Sequence, residues 1–139
     1  MQFEQGVKND YGMENFANQT NTGGAQGLKN SDIQKLRKRD DHCWHCGTTE
    51  ALVPHHRANR GMGGSKVTDN LQNVILICAE YNGLMESDPE TANRARDLGH
   101  KLSKFLAPSE PCFDIVWRKW YYLDTKGEKH ETEPPSYLI

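Results

Sequence analysis

Four groups of side chains able to hold a metal ion or move a proton recur between Cys43 and Asn82: Cys43-Trp44-His45-Cys46, His55-His56-Arg57, Asn73 with the apolar run to Cys78, and Tyr81-Asn82-Gly83. Two cysteines separated by two residues suit a soft metal ion or a redox pair. Adjacent histidines suit metal ligation and general base catalysis, because neutral imidazole does both near pH 7. Each group also has an ordinary use: a histidine doublet ends a surface strand, and an asparagine bonds locally in a turn or a first helical turn. Their recurrence within one short stretch is what core packing does not explain.

The elements around that stretch decide whether the groups can meet. Residues 1–30 are rich in Asn, Gln and Gly and read as a disordered arm or one ordered by a partner; residues 31–139 read as a single domain. Ser31 or Asp32 can cap a helix with Ile33 and Leu36 on one face, stopping near Asp40-Asp41. The Cys43 to Cys46 knuckle ends at Gly47, and Ala51 to His56 reads as a short strand that Pro54 confines to an edge. Residues 58–69 form a loop with three glycines and the cations Arg60 and Lys66, suited to close approach of a phosphodiester chain or simply to a flexible hairpin. Val74 to Ile77 is too short an apolar run to be anything but one buried strand, followed by a helix from Ala79 to Ser87 with Asn82 in its first turn. Asp88-Pro89-Glu90 opens another helix ending at Gly99. Asp114 to Trp117 and Trp120 to Asp124 are aromatic strand candidates of a C-terminal hairpin, with Thr125-Lys126-Gly127 as the clearest turn. The class expected is α+β.

Composition sets the context. A chain of 139 residues with 35% hydrophobic residues builds a small core, which implies help from a metal, a partner or disulfides. The start, Met1 to Gln5, has neither a basic cluster nor an apolar run, so the expected setting is a reducing cytoplasm, where the four cysteines read as ligands before bridges. No stretch is long and apolar enough for a membrane span. The net charge of −2 argues against a dedicated nucleic-acid binder, yet residues 31–66 carry +3 while the flanks carry −1 and −4. The carriers are Lys35, Arg37, Lys38, Arg39, Arg57, Arg60 and Lys66, a modest basic footprint on the chemical stretch.

Strand, glycine-rich loop, strand and helix, with His55-His56 ending the first strand, Asn73 opening the second and Asn82 in the helix, resembles the HNH (His-Me finger) nucleases. His55-His56-Arg57, Gly61-Met62-Gly63-Gly64-Ser65 and Asn82-Gly83-Leu84-Met85-Glu86 are similar to HNH proteins of phages and prophages, over roughly residues 33–90. The resemblance implies a ββα-metal core at about 52–87 and hydrolysis of DNA to 5′-phosphate and 3′-hydroxyl ends. It implies His56 as general base, Asn73 as the residue orienting it, and His55 with Asn82 as ligands of one divalent ion of the magnesium, manganese or nickel type. Arg57, Arg60 and Lys66 are then the phosphate-binding candidates. By analogy a packaging terminase is the expected partner beside DNA, in the cytoplasm of the host. Leu84 and Met85 read as core, and Glu86 as a helical surface carboxylate. His42, His45, His100 and His130 receive no role.

Two departures from the family pattern matter. Asn82 stands where histidine is commoner, which leaves strand preference open. A structural zinc in this family uses two Cys-x-x-Cys pairs, and Tyr81 stands where the fourth cysteine belongs, leaving Cys43, Cys46 and Cys78 with Cys112, His42 or His45 as substitutes. Two other functions compete. A decayed nuclease acting only as a DNA-binding module would show no metal-dependent nicking. A zinc-knuckle adaptor between proteins would bind zinc stoichiometrically and cleave nothing.

Overall fold

The computed structural model describes residues 28–59, 69–103 and 106–136. The arm up to residue 27 and the loop from 60 to 68, which carries Arg60 and Lys66, lie outside the described residues. What is described is an α+β arrangement of three helices and two small antiparallel sheets. In chain order these are α1 (Asn30–Arg39), β1 (Leu52–His56), β2 (Val74–Cys78), α2 (Ala79–Ser87), α3 (Pro89–Asp97), β3 (Cys112–Asp114), β4 (Lys119–Leu123) and β5 (Lys129–Thr132). No helix among them is long and apolar enough to cross a membrane.

The β1–β2 pair lies at the centre because β2 is apolar on both faces. Its register runs from Leu52 opposite Cys78 to His56 opposite Val74. All five β2 residues are buried, and alternate side chains enter different clusters. Val74 and Leu76 pack with Leu36 of α1 and Leu71. Ile75 and Ile77 pack with Trp44, Tyr81, Met85, Ala95, Cys112 and Leu123. A strand covered on both sides reads as a continuous apolar run. Met85 is core as expected, whereas Leu84 is 41% exposed, since it lies on the outer face of α2.

The helix ends follow local chemistry. Helix α1 begins a residue before the expected caps: Lys29 is the N-cap and makes no side-chain capping bond, while Asp32 sits in the first turn and Arg37, Lys38 and Arg39 in the last. Cys78 caps α2 through its sulfur, and Asp88 caps α3 by accepting from the Thr91 amide, with Pro89 opening the helix. Gly99 ends that run at φ +76°, and a methyl group there would run into the Pro111 carbonyl, so only glycine lets the chain turn and lie against residue 111.

The C-terminal region is a three-stranded meander where a two-stranded aromatic hairpin was expected. Cys112–Asp114 pairs with Lys119–Leu123, so the stretch from Ile115 to Arg118 is the first turn, with Arg118 at φ +57°, and Lys129–Thr132 adds the third strand after the Asp124 turn. Asp114 explains the shift: its carboxylate accepts the Val116 amide at 2.8 Å, fixing a turn where apolar and aromatic residues suggested a strand. Lys129 to Thr132 alternates charged and polar residues and gives almost no apolar signal.

Candidate functional site

The histidine end of the β1–β2 pair opens into a cleft of ≈ 230 Å³ lined by Pro54, His55, His56, Asn59, Asn82, Glu86 and Lys101. Strand β1 supplies the histidines, and helix α2 supplies Asn82 and Glu86. Those two residues lie four apart and therefore on one helical face. Lys101 comes from the segment after α3.

Burial and hydrogen bonding fix the ring of His55. Its Nε2 lies 2.8 Å from the carbonyl oxygen of His100. A carbonyl only accepts, so Nε2 carries the hydrogen and Nδ1 is the lone-pair nitrogen. Burial, and to a smaller degree the neighbouring Lys101 charge, lower the His55 pKa to about 4, which keeps the ring neutral and ligand-competent at physiological pH. His100 is held in turn: its Nε2 donates to the Phe113 carbonyl at 2.6 Å, and its Nδ1 accepts from the Tyr81 hydroxyl at 2.8 Å. Its complete burial pushes its pKa down to about 3. His100, given no role from the sequence, thus anchors His55 through its backbone.

His56 has a different partner. Its Nε2 lies 3.0 Å from the Asp69 carboxylate, and both side chains are largely buried. A carboxylate only accepts, so Nε2 carries the hydrogen that is directed at Asp69. Asn73 bonds the chain just beyond His56. Fully buried, it accepts the Ala58 amide at 2.8 Å and donates to the Ala58 carbonyl at 3.0 Å, and its own carbonyl takes the Arg57 amide. Asn73 therefore pins the backbone just beyond the doublet, which orients His56 indirectly.

Arg57 corrects one expectation. It was read as a phosphate clamp, but it is 1% exposed and its guanidinium donates to the carbonyls of Gly99, Gln72, Pro108, Glu110 and Pro111 at 2.6–3.2 Å. All five donors are used on backbone carbonyls, so the side chain ties Gly99, Pro108, Glu110 and Pro111 to the end of β1. Arg39, counted in the basic footprint, is likewise internal: it is paired with Asp40 and bonded to the carbonyls of Leu71 and Val74. Lys101 is the cation that the described residues bring to the cleft, and position along the chain gave no signal for it. Asp69 was equally hidden, thirteen residues from its histidine across a glycine-rich loop. Glu86, expected as a helical surface carboxylate, is exposed on α2 and also lines the cleft.

The cysteine end lies at the other limit of the strand pair. Cys43, Cys46 and Cys78 bring their sulfurs within 4.8 Å of one another. The knuckle that delivers the first two is closed by the Gly47 amide on the Cys43 carbonyl and the Cys43 amide on the Thr48 carbonyl, with Gly47 at φ +81°. Burial raises the Cys43 thiol to about 11. None of the three expected substitutes joins this cluster. His42 bonds Asp41 and Asp114, His45 stacks on the Tyr81 ring at 3.9 Å, and Cys112 is buried outside the group. Comparison with known proteins returns no matching family model, no matching curated protein and no matching solved structure.

Proposed function

We propose that the protein is a metal-dependent endonuclease of the HNH type, with β1, β2 and α2 as a ββα-metal core, that hydrolyses DNA phosphodiester bonds to 5′-phosphate and 3′-hydroxyl ends. The observation that carries the reading is the meeting of His55, His56 and Asn82 in one cleft. Phosphodiester hydrolysis needs a base for water, positive charge for the crowded oxyanion and leaving oxygen, and a fixed phosphate. His56 takes the proton from water, and Asp69 stabilises the resulting imidazolium. Asn73 holds the end of β1 so that the ring keeps its place. His55 through Nδ1, Asn82 through its amide oxygen and Glu86 through its carboxylate form a donor set that fits a hard or borderline divalent cation. Such an ion, when bound, supplies Lewis-acid stabilisation of the leaving oxygen. Lys101 binds a non-bridging phosphate oxygen, the task that Arg57 is too buried to perform.

The test is relaxation of supercoiled plasmid by the purified chain in magnesium, manganese or nickel, with and without EDTA. Cleavage that EDTA stops and that His56→Ala loses is the expected result. No cleavage in any of the three metals, or cleavage indifferent to His56→Ala, would overturn the reading.

A further inference from the structure

The three-cysteine corner carries an inference independent of nuclease activity. Two of its sulfurs already receive backbone donors: the His45 amide at 3.3 Å from Cys43 Sγ and the Tyr81 amide at 3.4 Å from Cys78 Sγ. Amide donors of this kind orient and stabilise a thiolate around a metal ion. Cys46 Sγ lies 3.8 Å from Cys78 Sγ, so little movement separates the three sulfurs from a common centre. Among the described residues no further His, Cys, Asp or Glu joins the three sulfurs: the Tyr81 hydroxyl is engaged on His100, His42 lies between two aspartates, and His45 stacks on the Tyr81 ring. Cys43 and Cys78 are buried, but Cys46 is exposed, so the side of the cluster left open adjoins solvent.

We propose that Cys43, Cys46 and Cys78 bind one soft d10 cation of the zinc or cadmium type through three thiolates, with the fourth position filled from solution by water or a small imidazole or thiol ligand. Each thiol releases its proton to solvent as its sulfur binds. Closed structural zinc sites have four protein ligands, whereas three protein ligands with an exchangeable fourth define an open site. The resemblance noted from the sequence implies the closed kind. The described side chains build the open kind, so the ion should bind stoichiometrically yet exchange readily with chelators.

The experiment is a cobalt(II) titration of the full, metal-stripped chain under a phosphine reductant, followed by absorption. Saturation at one equivalent with thiolate-to-cobalt charge transfer and a tetrahedral ligand-field band is expected, and that band should move when imidazole is added. Cys46→Ser should weaken cobalt binding at least tenfold, and Cys112→Ala should leave it unchanged. Rapid loss of zinc from the unsubstituted protein to a chromogenic chelator gives a second measurement that needs no variant. Absence of saturable binding, a band that ignores imidazole, zinc that resists the chelator, or loss of binding in Cys112→Ala would each overturn the proposal.

Discussion

The two ends of the β1–β2 pair solve the same problem in different ways. At the histidine end, the rings are set before any ligand arrives: His55 by the His100 carbonyl and His56 by Asp69. At the cysteine end the sulfurs converge, but no further His, Cys, Asp or Glu among the described residues joins them. Tyr81 separates the two. Its ring stacks on His45 beside the cysteines, while its hydroxyl holds His100 and so supports the carbonyl that fixes His55. A residue that does not extend the cysteine cluster instead stiffens the cleft, and the histidine end should therefore keep its geometry whether or not a metal occupies the cysteines.

Breaking the support beneath the cleft should have the largest effect. In Arg57→Lys, three donors replace five and at least two of the five buried or part-buried carbonyls lose their partner. A loss of about 2–5 kcal/mol is expected, from unsatisfied buried acceptors and a charge without its planar fork. Urea unfolding measures it, and a midpoint unchanged from the parent would show that the fold does not depend on this side chain.

Acid should come next. His55 and His100 are held below the ordinary histidine value of about 6.5, at about 4 and about 3. The unfolded chain therefore takes up protons that the folded chain refuses, so stability is complete above pH 6.5 and falls as pH drops toward 4. Each histidine contributes a slope of at most about 1.4 kcal/mol per pH unit in that window. Urea midpoints at pH 7, 6 and 5 in EDTA should fall, and His55→Gln should flatten the dependence. Midpoints level across this range would contradict the assignment of both rings as buried and neutral.

Smaller effects sharpen the division of labour in the cleft. Glu86→Gln removes a charged donor while keeping its shape, and should weaken divalent binding about tenfold, on the scale of the loss of one charge-assisted contact of about 1.5 kcal/mol. Calorimetric titration reads it, and unaltered affinity would return Glu86 to the solvated helix face. Lys101→Gln should lower cleavage several-fold and reduce the salt slope of DNA binding by about one unit, because one phosphate contact releases about one counterion. An unchanged slope would remove Lys101 from the phosphate.

Much of this was legible because it is local. The boundaries of α2, the stop of α1 at Asp40 and the end of α3 before Gly99 follow from caps, proline and glycine within a few residues. The pairing of β1 with β2 followed from their lengths and the loop between them. What stayed hidden depends on distant partners. Arg57 has the type and position of a phosphate ligand, and only its acceptors at Gly99, Pro108, Glu110 and Pro111 show that it turns inward. His100 and Lys101 reach the site because Gly99 folds the chain back. Nothing in their own neighbourhood marks them. The third C-terminal strand was missed because its residues alternate charge and polarity, and pairing with β4 rather than burial makes it a strand.

The central claim is that the cleft divides base from metal ligands, and one paired measurement tests it: plasmid cleavage and calorimetric divalent titration on the parent, His56→Ala and Asn82→Ala. Removing a general base forfeits about 10²–10⁴ in rate. His56→Ala should therefore lose cleavage by that factor and bind the ion nearly as well as the parent, while Asn82→Ala should lose both. Near-parental cleavage by His56→Ala, or undiminished metal binding by Asn82→Ala, would contradict the account.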